Sequence, residues 1–357
     1  MNNNLLFIAP SNSVHSFKWI NFFYTNTKFQ ITWISFYKKT ITQEIPDKIN
    51  YFELTGSNPL KIFFKLKDIY FKKDFFCTHL HYIGRYSYLL LFLNIKNLII
   101  SPWGSDIKLI DKNIFKKIIV KTLLESSKLL TVDANFMKDL VLQLVKKPLK
   151  IKRINFGTDT DIFDFNNKNS PIENIKIISL RSLEKLYSID TLIKAAKILK
   201  QKKIKFEIDI YGKGSEKESL IKLINKLQLE GFVNLKGAYN YTNLPKILKK
   251  YNLYVSTSKS DAGLAASTSE AMSSGLFIIT ADNSENPYWT SNDSGILFKT
   301  ESSIDLADKI IRFSKLNNEE KNRYRINARN KILKYNSFKN EMRKMLTHYQ
   351  KLNNEKN

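Results

Sequence analysis

Residues 254–275 read YVSTSKSDAGLAASTSEAMSSG, and the chain changes character twice within them. Tyr254 and Val255 close a short apolar run, a loop of Ser, Asp and Gly follows, and a small-residue helix is expected from near Ser267. Ser267, Thr268 and Ser269 are residue types that cap a helix N-terminus, and Glu270 falls in the expected first turn. Free backbone N–H groups and the positive dipole end at such a start make an anion site that suits a diphosphate. A carboxylate beside it can accept hydrogen bonds from both hydroxyls of a ribose. Glu270 therefore has two readings, ribose ligand or helix cap.

The same step from strand to loop to helix recurs on the N-terminal side of this stretch. β-rich runs are expected at Ile175–Leu180, Phe206–Tyr211, Leu253–Ser256 and Phe277–Thr280, with helical patterns at Ile189–Lys200 and Glu216–Leu227. The first half follows the same scheme, with runs such as Leu5–Ile8, Phe75–Leu80 and Leu98–Ile100 alternating with helical patterns such as Pro59–Phe71 and Phe115–Leu124. This alternation predicts an α/β chain of two doubly wound, Rossmann-like domains with parallel sheets. The predicted domains are 1–157 and 173–334, joined by a polar, turn-rich linker over 158–172. Lys-rich helix is expected from Asn317, its last part over 335–357 leaning back on the first domain. Ligands in such sheets bind at the carboxyl ends of the strands, so the domains are expected to face each other across a cleft that holds the site.

Composition narrows the function classes. The 357 residues carry 58 Lys and Arg against 33 Asp and Glu, a net +25. Such a charge draws a protein to nucleic acid, to anionic membrane surfaces or to phosphorylated substrates. A coding bias toward Lys, Asn, Ile, Phe and Tyr accounts for the excess equally well. The basic residues are spread along the chain without the aromatic or zinc-finger motifs of a nucleic-acid module, so no nucleic-acid partner is expected. MNNNLLFIAP has no basic n-region and reads as a first strand. No apolar run reaches the 18 or so residues of a membrane span, and Cys77 stands alone, which suits a cytoplasmic protein.

Ser258-Lys-Ser-Asp261, a small-residue loop and Glu270-Ala-Met-Ser-Ser-Gly275 together resemble the signature of glycosyltransferase family 4. The resemblance extends over some 300 residues. It implies a GT-B fold, retention at the anomeric carbon and a nucleotide-sugar donor, with no cofactor and no metal. Glu270 matches the acidic residue that holds the donor ribose in that family. The family's other acidic position is Ala262 here, with Asp261 one residue earlier. Either the loop is one residue longer or that acidic group is absent. Arg181 matches an Arg that grips the diphosphate and stabilises the leaving group; its other reading is a surface arginine in a solvated loop. The family's Lys-Gly is Tyr187-Ser188, leaving Lys185 as substitute or as a solvated charge. Gly212 and Gly214 match a Gly-x-Gly turn that lets backbone approach a ligand. Gly263, Leu264, Ser267, Thr268 and Ser269 complete the donor side. Asn155-Phe-Gly157 with Asp159, Asp161 and Phe163 resembles the family's interdomain hinge.

On the acceptor side, His15, Trp103 and Asp106 are the candidates. Trp103, in Ser101-Pro-Trp-Gly-Ser-Asp106, stands where relatives often place a His; Asp106 touches a sugar hydroxyl or caps a helix. His79-x-His81 has the spacing for a metal pair, but no nearby Cys or carboxylate cluster completes a site. Asp159-x-Asp161 has metal-motif spacing yet sits in the linker. Lys61, Lys65, Lys67, Lys72 and Lys73 lie among Ile62, Phe63, Phe64 and Phe71, an amphipathic pattern able to rest on an anionic leaflet or an ordinary helix with a buried stripe. The expected function is transfer of a sugar to a glycan or lipid-linked acceptor in bacterial cell-surface polysaccharide or lipopolysaccharide assembly, on the inner face of the cytoplasmic membrane. The alternatives are a diacylglycerol-type acceptor and a catalytically silent nucleotide-sugar-binding relative.

Overall fold

The computed structural model describes residues 2–108, 114–165, 173–261 and 263–355. The chain forms two compact units, one built from residues up to Phe156 together with those from Lys339 onward, the other from Gly157–Phe338. The second half of the expected linker, 166–172, lies outside the described residues.

The first unit runs β1 (Asn4–Ile8), α1 (Val14–Asn26), β2 (Gln30–Ser35), β3 (Asn50–Glu53), α2 (Pro59–Phe71) and β4 (Cys77–His81). A 3₁₀ turn (Ser87–Phe92) leads to β5 (Leu98–Ser101), α3 (Ser105–Lys108), α4 (Ile114–Glu125), β6 (Leu129–Val132), α5 (Asn135–Leu144) and β7 (Ile151–Arg153). The strands form one parallel sheet in the order β3-β2-β1-β4-β5-β6-β7.

The second unit runs β8 (Ile175–Leu180), α6 (Ile189–Gln201), β9 (Phe206–Tyr211), α7 (Lys217–Lys226), β10 (Val233–Gly237), α8 (Leu244–Leu248), β11 (Leu253–Ser256) and α9 (Ala266–Ser273). It continues through β12 (Phe277–Ala281), α10 (Asn286–Thr290), β13 (Ile296–Phe298), α11 (Ser303–Lys315) and α12 (Asn318–Tyr335). Its parallel sheet has the order β10-β9-β8-β11-β12-β13. The last helix, α13 (Phe338–Asn354), belongs almost wholly to the first unit.

Near-continuous apolar strands are what a sheet covered on both faces requires. In the first unit, Leu6, Ile8, Leu80, Leu98, Ile100, Leu130 and Val132 pack with Ile62 and Leu66 of α2 and with Leu123 and Leu124 of α4. Phe7 points to the opposite face, where Phe23 of α1 and Tyr349 of α13 cover it with ring centroids 6.2 and 6.3 Å away. In the second unit α6, α7 and α11 cover one face, while α8, α9 and α12 cover the other.

The single C-terminal helix expected from Asn317 is two helices. Asn336 leaves helical geometry at φ −145°. Its amide donates to Ser269 Oγ at 2.6 Å and to Thr158 Oγ1 at 3.2 Å, and Ser337 forms a bridge with Thr158. Both bonds tie the break to the hinge segment and to α9, which a straight helix could not reach. Gly157 sits at φ +79°, and a Cβ there would strike the Phe338 backbone.

Candidate active site

Each sheet has one switch point, where successive strands depart to opposite sides, and ligands of doubly wound folds bind outside the carboxyl ends of the strands there. In the second unit it lies between β8 and β11. Arg181 directly follows β8, and the loop that follows β11 carries Asp261 and leads into α9. In the first unit it lies between β1 and β4, whose following residues lead to His15 and to Tyr82.

Arg181 is pinned from two directions. Its Nη2 is ion-paired with Asp261 Oδ1, the two side chains only 10% and 6% exposed. Its guanidinium carbon lies 4.4 Å from the ring centroid of Tyr187. The solvated-loop reading of Arg181 thus does not describe it. Ser258 Oγ donates to Asp261 Oδ1 at 3.2 Å, and Asp261 N–H donates to Ser284 Oγ at 3.2 Å. Arg181 Nε and Asp261 Oδ2 are buried without a hydrogen-bond partner among the described residues. A charge-assisted pair of this kind holds one donor edge of the guanidinium and leaves another to meet an anion. Ala262, on which the departure from the family pattern turns, lies outside the described residues.

Glu270 does not cap its helix. Helix α9 begins at Ala266, and Ala265 occupies the N-cap position without a side-chain capping bond. Glu270 is therefore beyond the first turn. Its Oε1 instead accepts a 2.9 Å hydrogen bond from Tyr241 Oη, in a side chain 6% exposed. Burial beside Glu270 raises the Tyr241 pKa, and Tyr239 is pushed up to about 12 by burial and the same carboxylate. Both phenols stay neutral, and Tyr241 donates to the carboxylate.

The expected capping by Ser267, Thr268 and Ser269 is corrected in the same way. Starting one residue earlier turns these hydroxyls into the fold. Ser267 and Thr268 meet Tyr254 Oη at 2.9 and 3.2 Å, and Ser269 bonds Thr158 and Asn336. What remains at the helix start are backbone N–H groups with no side-chain cap.

Gly212 and Gly214 are explained by backbone approach, but to the chain itself. A Cβ at Gly212 would strike the Arg181 carbonyl, and one at Gly214 would strike the Leu183 carbonyl. Gly212 N–H donates to Gly237 O at 2.8 Å. The β9–α7 turn therefore buttresses the segment that presents Arg181. Gly263 is buried, and Leu264 packs on the cluster that includes Tyr254 and Met272. Lys185 is exposed and lines a groove of about 420 Å³ with Ser188, Asp190, Glu216 and Lys259, which includes neither Arg181 nor Glu270.

In the first unit the rings of His15, Trp103 and Phe156 converge, with His15–Phe156 centroids at 4.8 Å and Trp103–Phe156 at 5.5 Å. Asp106 is 3% exposed and fastens two loops. Its carboxylate accepts from Ile83 N at 2.9 Å, Trp103 N at 2.9 Å and Gly104 N at 2.8 Å. Burial raises its pKa to about 6. The bonds present are those of a positioning residue. The metal-pair reading of His79 and His81 fails on His79, whose nitrogens meet Tyr349 Oη at 2.5 Å and Ser101 Oγ at 2.7 Å.

Tyr241, Tyr254 and Ser258 are site neighbours that sequence reasoning does not single out as ligands. The signal for Tyr241 is slight, an aromatic pair Tyr239-Asn-Tyr241 after a strand.

Two Rossmann-type units, each with one parallel sheet, are the fold of the GT-B proteins. The sequence profile described as "Glycosyl transferases group 1" matches residues 161–331, and "Glycosyl transferase 4-like" matches residues 4–134. The chain belongs to the group 1, family 4-like glycosyltransferases. Among curated relatives it is 36% identical over 126 residues to poly(ribitol-phosphate) alpha-N-acetylglucosaminyltransferase of Staphylococcus aureus, which is 34% of this chain and 25% of the relative. It is 33% identical over 113 residues to the GtfA subunit of the UDP-N-acetylglucosamine–peptide N-acetylglucosaminyltransferase of Streptococcus parasanguinis, covering 31% of this chain and 22% of the relative. These matches span about a quarter of each relative's length. Anabaena HepE in complex with UDP has the same fold, with TM-score 0.80 at 14% identity over 98% of this chain and all of that one.

Proposed function

We propose that this chain transfers a sugar, with retention of configuration, from a uridine diphosphate donor of the N-acetylglucosamine type to a glycan or lipid-linked acceptor. The acceptor belongs to bacterial cell-surface polysaccharide assembly and is met at the inner face of the cytoplasmic membrane. The observation that carries the proposal is the placement of Arg181 and Glu270 in the second unit. A buried, oriented guanidinium follows one strand at the switch point, and a buried non-capping carboxylate lies in the helix reached from the other. The names of the first curated relatives supply the choice of donor.

Glu270 would take the ribose hydroxyls, with Tyr241 Oη donating to its Oε1 and orienting the carboxylate. Arg181 and the uncapped N–H groups of α9 would hold the diphosphate and stabilise the charge that develops as it leaves. The acceptor hydroxyl attacks the anomeric carbon from the face the diphosphate leaves, and its proton passes to the departing phosphate oxygen. No protein nucleophile and no divalent metal takes part. A second reading, a relative that binds nucleotide-sugar without turnover, is favoured by the hold of Asp261 and Tyr187 on Arg181.

The test is a thermal-shift series with UDP, GDP and ADP, followed by UDP release from UDP-N-acetylglucosamine. Ligand that binds only the folded state raises the melting temperature by mass action. Stabilisation by UDP with turnover that Glu270→Gln abolishes is the expected result. Stabilisation without turnover by any acceptor favours the second reading, and no shift with any nucleotide overturns both.

A further inference from the structure

Two helices of the first unit are apolar on both sides. In α2, Ile62 and Leu66 face the core, whereas Leu60, Phe64 and Phe71 are 63–68% exposed. At roughly 100° per residue the exposed three fall in one narrow stripe opposite the buried pair. Helix α4 repeats the pattern: Val120, Leu123 and Leu124 are buried, while Ile114, Phe115 and Ile118 are 64%, 75% and 54% exposed. Between them stands Phe92, 70% exposed at the end of the 3₁₀ turn, with its ring 6.2 Å from Phe63 of α2. Helix α4 packs on that same turn. All three elements lie on the same face of the sheet, since their buried residues share one core. Core packing accounts for the inner stripes and leaves the outer ones unexplained.

Lysines flank the outer stripes. Exposed Lys61, Lys65, Lys67 and Lys72 lie in or just after α2, and exposed Lys116 and Lys117 lie in α4. The carboxylates of these two helices are Asp68, paired with Lys72 at 2.7 Å, and Glu125, which accepts from Lys146 N at 2.8 Å. Neither carboxylate meets Lys61, Lys65 or Lys67 beside Phe64, so the face keeps a net positive charge.

We propose that α2, the 3₁₀ turn and α4 form one membrane-docking face that rests on an anionic bilayer. Phe64, Phe71, Phe92, Phe115 and Ile118 enter the headgroup boundary, and the lysines meet lipid phosphates. Charge complementarity commits the face to an anionic lipid surface, because a neutral apolar partner would gain nothing from the lysines. Aromatic and aliphatic insertion with flanking lysines is the pattern of a helix lying in the interface plane. The proposal rests on the peripheral attachment read above and deepens it: that reading needs α2 alone, whereas here α4 and Phe92 are equal partners.

The experiment is sedimentation of the whole chain with vesicles of mixed phosphatidylglycerol and phosphatidylcholine, against phosphatidylcholine alone. Phe64→Asp, Phe92→Asp and Phe115→Asp are compared with Ile304→Asp, whose side chain is 67% exposed in the second unit. Expected are binding to the anionic vesicles only, a loss of about tenfold in each of the three variants, and none in Ile304→Asp. The variants change exposed positions, and circular dichroism with an unchanged UDP thermal shift verifies their fold. Binding that Phe64→Asp reduces and Phe115→Asp and Phe92→Asp leave intact overturns the two-helix face while sparing attachment through α2. Absence of anionic-vesicle binding overturns the membrane proposal as a whole, and the UDP shift then still reports on the donor site. A vesicle-free dimer that the same variants dissociate, without vesicle binding, assigns the face to self-association and also overturns it.

Discussion

Arg181 and Asp261 are a nearly dry ion pair, and removing one partner of such a pair leaves an uncompensated buried charge that costs about 3–5 kcal/mol. Arg181→Ala is therefore expected to lower stability by more than the double variant Arg181→Ala/Asp261→Ala does, in urea unfolding followed by circular dichroism. Equal losses would mean that Asp261 is well solvated without Arg181. Glu270 acts on a different quantity. Glu270→Gln keeps the shape and removes the charge, so UDP-sugar turnover should fall by about 10²–10³-fold while the fold persists. Its capping reading predicts a loss of stability with turnover retained, because a capping group supports the helix and no substrate. The sequence names both residues through the resemblance to family 4, Arg181 as the Arg beyond a strand and Glu270 as the head of Glu270-Ala-Met-Ser-Ser-Gly275. It does not reveal that α9 starts at Ala266, because Ser267, Thr268 and Ser269 are as good at capping as at bonding Tyr254 and Asn336. Side-chain direction at a helix start is set by which residue takes the cap position, and three hydroxyls in a row leave that choice open.

Loops between elements are held by single polar groups, and Asp106 shows it. Three backbone N–H groups from two loops end on its carboxylate, and a stranded buried donor costs about 1–3 kcal/mol. Asp106→Ala is expected to speed amide hydrogen exchange at Ile83, Trp103 and Gly104 selectively; uniform exchange would remove its fastening role. The elements themselves were largely legible. Phe206–Tyr211 and Leu253–Ser256 are strands at the expected residues, short β-rich runs whose side chains are buried or half-buried in a sheet covered on both faces. Strand β3 has no such run: Asn50–Glu53 is an edge strand whose residues are partly or fully exposed. Strand β13 is three residues long, too short for a period to show. Helix α11 adds to the expected elements although its Ser302 cap and its Leu306, Ile310 and Phe313 stripe mark it.

The molecule as a whole responds to acid through its first unit. Burial lowers the His79 pKa well below 6.5 and the His81 pKa to about 3. Both rings are neutral in the fold, so the stability they contribute is complete above pH 6.5 and drains as pH falls toward 3, where the unfolded chain alone takes up protons. Asp106, raised from 3.8 to about 6, acts oppositely: its neutral form favours the fold at low pH, and that gain is lost as pH rises to 6. Burial likewise lowers the His15 pKa to about 4, and three histidines against one aspartate leave two net protons, so stability should fall by about 2.7 kcal/mol per pH unit as pH drops from 6 toward 4. Urea midpoints across that range check it, and a flat profile would mean the histidines are protonated in the native state. His79→Gln, with Tyr349 and Ser101 still to bond, should flatten the profile by about half.

Helix α13 carries one consequence for how the chain is made. Met342, Met345, Tyr349 and Leu352 are all buried in the first unit, and each buried side chain of this size is worth about 1.5–3 kcal/mol. A ribosome synthesising this chain finishes every strand of the first sheet long before it reaches Tyr349. The N-terminal half therefore waits, with Phe7, Phe23 and Phe29 lacking their Tyr349 cover, while the second unit emerges and folds ahead of it. Nascent chains stalled before Lys339 should recruit a hydrophobic-binding chaperone to their first half, and release of the final helix should free it.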